Sequence, residues 1–133
     1  MPGLDTNVLV RWLMADDEEQ RQRVRTVFRA AVSQRGSLFV PSTVVLELEW
    51  VLRSRYRLDK ASLLLALTAL LETRELEFQA EDAVERALHA YRQGAADFAD
   101  CLHAGLCAAA GRAPMLTFDE KAARLAGAEL IKA

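Results

Sequence analysis

The fold of this chain is decided by Gly3–Leu13, which reads GLDTNVLVRWL. Only a few residues precede Asp5, which leaves room for one short strand, and after it apolar residues recur with helical spacing. These residues are Val8, Leu9, Trp12 and Leu13. We therefore expect Asp5 where a first strand ends and a first helix begins, the usual place for a functional site in open α/β sheets. A second interpretation stays equally open, in which Asp5 or Thr6 only caps the helix.

Short strands and helices alternate along the rest of the chain, without linkers or repeats. Strands are expected at Ser37–Val40, Leu76–Phe78, Pro114–Phe118 and Ala128–Ile131. Helices are expected around Val24–Val32, from Ser42 or Thr43 to about Tyr56, after Asp59, and over Glu81–Arg92, Ala96–Ala110 and Asp119–Ala126. This alternation predicts a single α/β/α domain over residues 1–133, with a parallel sheet of short strands and a high helix content.

The composition is that of a globular protein. Hydrophobic residues make up 52% of the 133 positions, and no apolar run approaches the ~20 residues of a membrane span. The N-terminus lacks the basic and apolar regions of a signal peptide, so we expect a cytoplasmic protein. Cys101 and Cys107 lie six residues apart on one predicted helix. That distance is too long for a disulfide, so both thiols are expected to be free.

The net charge of −2 does not by itself indicate a nucleic-acid-binding protein. The basic residues nevertheless form two groups, which are either solvated helix faces or contacts to phosphates. The first group is Arg21, Arg23, Arg25 and Arg29, and the second is Arg53, Arg55, Arg57 and Lys60.

Glu47 is the first of several further carboxylates in unusual positions. Its helical stripe contains Val44, Leu48 and Val51, so we expect the side chain on an apolar face, whereas Glu49 points elsewhere. A carboxylate on an inward stripe is costly unless it is paired or binds a cation. The alternative is a glutamate at the margin of the stripe that reaches water or an arginine.

Asp97, Asp100 and Asp119 complete the set. Asp97 and Asp100 open a helix three residues apart and therefore share one face. Asp119 follows the strand Pro114–Phe118 and repeats the predicted position of Asp5. The alternative is that Asp97 and Asp119 are N-caps and that Asp100 only favours the helix dipole.

Together, Asp5, Glu47, Asp100 and Asp119 are expected to converge at the carboxyl edge of one sheet. Carboxylates gathered without a matching lysine or arginine cannot all stay ionised unless a cation joins them. Ligation by oxygen alone suits Mg²⁺ or Mn²⁺. Such ions activate water and stabilise phosphoryl oxygens, so the chemistry indicated is metal-dependent hydrolysis of a phosphodiester.

Four segments resemble, in order and spacing, the PIN-domain ribonucleases, and in particular the VapC-type toxins of bacterial toxin–antitoxin pairs. They are Gly3–Val10 (GLDTNVLV), Val45–Leu52 (VLELEWVL), Ala96–Ala104 (ADFADCLHA) and Leu116–Asp119 (LTFD). The resemblance implies a PIN-like sandwich and a catalytic, metal-binding quartet of Asp5, Glu47, Asp100 and Asp119, often accompanied by Asp97. Thr6, Asn7 and Thr117 match supporting positions of the motifs. Pro2, in the opening strand, is the main departure, and a proline is tolerated at a strand's first residue.

The resemblance further implies an RNA substrate, Mg²⁺ with Mn²⁺ as a substitute, a homodimer and a cognate antitoxin that blocks the site. Two alternatives stay open beside it. One is a PIN fold that binds RNA without cutting it, and the other is a Mg²⁺-binding phosphoacceptor signalling domain. The second would need an acidic pair at the first strand, where Asp5 stands alone. A phosphatase of the DxDxT type fails at Asn7, which occupies the second aspartate position.

Overall fold

A computed structural model describes residues 2–132 of the chain. It divides into two compact units, Met1–Gln79 and Ala80–Ala133, which are described in turn. The first unit contains α1 (Thr6–Leu13), α2 (Glu18–Ser33), β1 (Leu38–Val40), α3 (Ser42–Ser54), α4 (Lys60–Leu71) and β2 (Leu76–Phe78). The second contains α5 (Glu81–Gln93), α6 (Phe98–Ala109), β3 (Met115–Thr117), a 3-10 turn (Ala122–Arg124) and β4 (Ala128–Leu130).

The first unit is built on β1, which pairs in parallel with β2 in the register Leu38↔Leu76 to Val40↔Phe78. On its other edge, Phe39 forms a parallel bridge with Gly3, and the Leu4 N–H bonds the Phe39 carbonyl at 2.8 Å. The strand expected before Asp5 is thus reduced to a single bridge. That bridge still aligns the first residues parallel to β1, so that Asp5 follows at the end of an extended segment.

The helices of the first unit begin largely where the sequence predicts. Asp17 and Asp59 cap α2 and α4 through side-chain bonds to the N–H groups of Gln20 and Ser62. The expectation that Ser42 or Thr43 caps α3 is wrong, because Pro41 occupies the cap position and the Ser42 N–H donates to Oε1 of Gln79 at 2.9 Å. Ser42 is instead its first residue, and its hydroxyl donates to the Gln79 carbonyl at 3.2 Å.

The second unit is organised by close packing of α5 on α6. A Cβ at Gly105 would lie 2.7 Å from the carbonyl oxygen of Ala83, so a larger residue would push the helices apart. Tyr91 meets the edge of Phe98 with ring centroids 5.5 Å apart. The small residues of α6 therefore bring its first turn into a fixed position against α5. Strands β3 and β4 pair in parallel in the register Met115↔Ala128 to Thr117↔Leu130.

The helix expected over Asp119–Ala126 is wrong, since only the 3-10 turn Ala122–Arg124 forms. A helix this short depends on an apolar stripe that it can bury. Here only Ala122 is buried, and the chain is already extended at Leu125. One turn is enough to reach Gly127, whose positive φ of 79° leads into β4.

The predicted class, an α/β fold with short parallel strands and many helices, is confirmed. The prediction of a single domain over residues 1–133 stays a prediction, and its end residues Met1 and Ala133 lie outside the described residues. Cys101 and Cys107 form no disulfide, as expected. None of the helices within residues 2–132 is long and apolar enough to cross a membrane.

Candidate active site

Asp5 and Thr6 stand at the start of α1. The exposed Asp5 occupies the N-cap, and its Oδ1 accepts a hydrogen bond from the Val8 N–H at 3.2 Å. The capping interpretation is therefore confirmed for Asp5. It does not compete with a role in binding, because one oxygen of an exposed carboxylate is sufficient for the cap.

Thr6 connects α1 to α3. Its buried hydroxyl donates a hydrogen bond to Oε1 of Glu47. The Glu47 side chain is itself exposed, so the prediction that it faces the apolar interior of the unit is wrong. Glu47 instead lies at the margin of α3, held at one oxygen by a threonine.

The buried face of α3 extends further around the helix than predicted. It consists of Val45, Leu48, Glu49, Val51 and Leu52. Glu49 is only 3% exposed and pairs with Arg53 of the next turn, whose Nε lies 2.9 Å from Oε2. An ion pair with good geometry makes the burial of a carboxylate tolerable. Consequently, the acid that faces the interior of this unit is Glu49, and Glu47 is left facing solvent.

The chain encloses a cavity of ≈190 Å³ between α1 and α3, which we call the α1–α3 cavity. It is lined by Asp5, Thr6, Asn7, Glu47, Trp50, Val51 and Arg55. Of these, Trp50, Val51 and Arg55 were not predicted as site residues. The signal was present in the sequence, because they follow Glu47 by three, four and eight residues and so project from its side of the helix.

Asp97 and Asp100 open α6 in the second unit. Asp97 occupies the N-cap position, but its side chain makes no capping hydrogen bond. The interpretation of Asp97 as a side-chain cap is therefore wrong, and its exposed carboxylate is not committed to the helix. Asp100, one turn further, is half-buried.

Asp119 follows β3 and repeats the geometry of Asp5, as predicted. Its Oδ1 accepts from the N–H of Ala122, three residues later, at 2.9 Å. The Asp119 N–H donates to the hydroxyl of Thr117 at 3.0 Å. Thr117 thus fixes the backbone from which the Asp119 carboxylate projects, which gives this threonine a structural basis as a supporting residue.

These aspartates share a second cavity of ≈350 Å³, the α6–β3 cavity. Its lining consists of Asp97, Asp100, Asp119, Glu120 and Lys121. Lys121 here and Arg55 in the α1–α3 cavity contradict the expectation that no basic side chain accompanies the acids. Both positive groups are suited to contact a phosphate.

The structure brings Asp5 together with Glu47, and Asp97 together with Asp100 and Asp119. The convergence of all these acids on one site stays a prediction. Across residues 2–132, no group of three or more His, Cys, Asp or Glu side chains is arranged to hold a metal ion. The acids of both cavities nevertheless offer carboxylate oxygens, which fit a hard divalent cation such as Mg²⁺.

Comparison with known families decides the classification. The family model of the PIN domain matches residues 4–128, a range that includes both cavities' acids. The chain belongs to the PIN-domain family. This confirms the resemblance inferred from the four sequence motifs. Among individual PIN proteins, the chain is similar to a VapC ribonuclease of Aquifex aeolicus (strain VF5), with 29% identity over 105 residues. That alignment covers 77% of this chain and 75% of the relative.

Proposed function

We propose that this PIN-domain protein is an endoribonuclease that hydrolyses RNA phosphodiester bonds, and that it acts as the toxin of a bacterial toxin–antitoxin pair. The observation that carries the proposal is the α6–β3 cavity, where three aspartates face one solvent-accessible space. The similarity to a VapC ribonuclease supports the same reaction and the same biological role.

The proposed metal ligands are Asp5, Glu47, Asp97, Asp100 and Asp119. All are oxygen donors, and Mg²⁺, with Mn²⁺ as a substitute, is the cation that such donors prefer. When bound, the ion would supply an activated water and a Lewis acid for the scissile phosphate.

The remaining residues of the cavities position these groups. Thr6 holds one oxygen of Glu47, a residue that lines the α1–α3 cavity. Thr117 holds the backbone of Asp119. Arg55 and Lys121 offer positive charge for the phosphates of an RNA strand, and the amide of Asn7 offers hydrogen bonds at the same cavity as Asp5.

An active ribonuclease must be controlled in the cell that makes it. We accordingly propose a cognate antitoxin protein as the partner, a homodimer as the assembly and the cytoplasm as the location. The support for all three is the resemblance to VapC-type toxins, together with the match to a VapC ribonuclease over most of its length.

The proposal is tested by expressing the protein in a bacterial host without an antitoxin. The wild type is expected to arrest growth and to fragment cellular RNA, whereas Asp100→Asn is expected to do neither. Asp82→Asn is the matched control, because Asp82 is an exposed aspartate in the first turn of α5 that lines neither cavity. Growth arrest by Asp100→Asn without RNA fragmentation would instead favour a PIN domain that only binds RNA.

A further inference from the structure

Trp50 is the exposed large aromatic residue of α3. Its side chain is 51% exposed, although its neighbours Leu48, Glu49, Val51 and Leu52 are all buried. Single exposed apolar residues are common and need no explanation in themselves. Trp50, however, lies one turn after Glu47 and lines the α1–α3 cavity together with Asp5.

Trp12, the other tryptophan of the chain, packs against another ring of the protein. Trp12 stacks on Phe28 with ring centroids 3.9 Å apart and planes 8° from parallel. Within residues 2–132, no aromatic ring stacks on Trp50 in this way. The half-exposed indole is therefore accessible to a ring from outside the unit.

Arg55 adds a positive charge to the same cavity. It is the C-cap residue of α3, eight positions after Glu47, and its side chain is exposed. Two turns of helix place it about 12 Å along the axis from Glu47. Arg53 differs, because its guanidinium is held by the buried Glu49. Arg55 thus extends the cavity away from the acids with a group that binds phosphate well.

We propose that Trp50 and Arg55 form a subsite for an unpaired nucleotide of the RNA substrate. The indole stacks on the base, and the guanidinium binds an adjacent phosphate. The inference rests on the proposed ribonuclease function and makes it more specific, since it names single-stranded RNA as the substrate at this cavity. A paired base presents no free face to the indole, whereas an unpaired base can be turned out and stacked.

The surroundings of Trp50 favour RNA over a protein partner. A docked peptide helix requires a groove with several apolar anchors. The α1–α3 cavity instead surrounds one indole with hydrogen-bonding and charged groups, namely Asp5, Thr6, Asn7, Glu47 and Arg55. The exposed apolar residues of α2 and α4, such as Val32 and Leu65, do not line it. A single base has a flat face that can stack on the indole and polar edges that can hydrogen-bond to the surrounding groups.

The first test measures binding in EDTA, so that cleavage does not consume the RNA. Trp12→Phe leaves Trp50 as the sole tryptophan of the chain, which contains two. Titration with an oligoadenylate of about 12 nucleotides is expected to quench Trp50 fluorescence. A blunt RNA duplex is expected to quench it much less. Equal quenching by the duplex, or none by the single strand, would overturn the inference.

The second test uses fluorescence anisotropy with a labelled single strand and otherwise wild-type protein. Trp50→Ala should weaken binding roughly 5- to 150-fold, the range expected for one lost base stack. Trp50→Phe should retain most of the affinity, whereas Trp50→Leu should not, because leucine keeps the apolar surface without the ring. Leu65→Ala removes an apolar side chain that is 73% exposed and lines no acidic cavity, and serves as the control.

Arg55 is tested by the salt dependence of the same binding. Losing one phosphate contact should reduce the slope of log K against log [salt] by about 0.7 for a single strand. We expect this reduction for Arg55→Ala and not for Arg92→Ala, an exposed arginine in the last turn of α5. Equal slopes for the two variants would remove Arg55 from the subsite.

Cleavage in Mg²⁺ is measured alongside, so that the two levels of the proposal fail separately. If the wild type cuts RNA and Trp50→Ala binds and cuts like the wild type, the subsite is wrong and the ribonuclease function stands. If the wild type cuts no RNA, the ribonuclease function is wrong, and the quenching of Trp50 fluorescence in EDTA decides separately whether the subsite binds an unpaired base. Normal RNA binding by Trp50→Ala, combined with loss of antitoxin binding, would assign the indole to a protein partner and overturn the inference.

Discussion

The buried hydroxyl of Thr6 donates a hydrogen bond to the exposed carboxylate of Glu47. The bond joins the first residue of α1 to the second turn of α3, and Asp5, which precedes Thr6, lines the same cavity as Glu47. A threonine at the first position of a helix therefore holds a carboxylate of the proposed site in place.

Thr6→Val is expected to keep the fold and impair catalysis. Valine matches the shape of threonine but cannot donate to Glu47, and loss of a group that orients a metal ligand typically lowers activity or metal affinity about 10- to 100-fold. Thr6→Ser keeps the hydroxyl and should stay near wild type. The measurement is the Mg²⁺ dependence of RNA cleavage. Wild-type cleavage by Thr6→Val would show that Glu47 does not need this hydrogen bond.

Asp97 and Asp59 are expected to show opposite phenotypes, although both stand at helix N-caps. The Asp59 side chain accepts from the Ser62 N–H at 2.9 Å, whereas the Asp97 side chain makes no capping bond. Asp59→Ala should therefore lower the melting temperature without affecting cleavage. The free energy of unfolding of Asp97→Ala should lie within about 0.5 kcal/mol of the wild-type value. Its cleavage rate should fall at least about tenfold. If Asp59→Ala and Asp97→Ala changed stability and cleavage rate in the same way, the assignment of a capping role to Asp59 and a site role to Asp97 would be wrong.

The stability of the protein should depend on pH through Tyr56. The Tyr56 hydroxyl donates to Asp16 and accepts from Arg11. The bond to Tyr56, helped by the charge of Arg11, lowers the pKa of Asp16 below its usual 3.8. The bond to Asp16, with some help from burial, raises the pKa of Tyr56 above its usual 10.0. The carboxylate of Asp16 and the protonated hydroxyl of Tyr56 are thus both favoured in the folded state.

The signs follow from linkage. The Asp16 contribution is present above its unfolded pKa and is lost as pH falls through the lowered folded value. The Tyr56 contribution is present below its unfolded pKa and is lost as pH rises through the raised folded value. We predict that the melting temperature of the wild type is higher than that of Tyr56→Phe at neutral pH. The difference between the two melting temperatures should narrow below about pH 4 and above about pH 10. A gap independent of pH would contradict this assignment.

Arg53→Ala should destabilise the first unit without affecting the chemistry. It removes the Nε donor that lies 2.9 Å from the 3%-exposed Glu49 carboxylate. Removing this bond from a buried charged group lowers the free energy of unfolding by about 1–3 kcal/mol. Because the Arg53 side chain is half-exposed, we expect a loss at the lower end of that range. Urea denaturation measures the loss, with Arg92→Ala as the matched surface control. Equal stability of the two variants would show that the Glu49–Arg53 pair contributes nothing.

The features that the sequence predicts best depend on local chemistry. An aspartate after an extended segment binds the N–H three residues later, and this places Asp5 and Asp119 correctly. Apolar spacing likewise locates α2 to α6. The failure at Asp119–Ala126 has a different origin, since a helix of that length depends on burial that the sequence pattern alone does not reveal.

The error at α3 is more instructive for the site. From the sequence, Glu47 is predicted to lie on a buried stripe and to be a metal ligand. The buried acid is instead Glu49, which forms an ion pair with Arg53 of the same helix. The buried face includes Glu49 and excludes Glu47, which lies about 200° from Glu49 around the helix. The motif resemblance selects Glu47 independently of this stripe. Arg55 was not assigned to the site although its position eight residues after Glu47 on one helix carries that signal, whereas the place of Lys121 in the α6–β3 cavity depends on tertiary packing.

The central claim is tested most directly by the cleavage of a single-stranded RNA by purified protein in Mg²⁺, with and without excess EDTA. We predict that wild type and Asp82→Asn cut the RNA in Mg²⁺, that Mn²⁺ restores cleavage after EDTA treatment, and that Asp100→Asn does not cut. Full-rate cleavage by the wild type in excess EDTA, or cleavage by Asp100→Asn equal to that of Asp82→Asn, would contradict a metal-dependent ribonuclease built on these carboxylates.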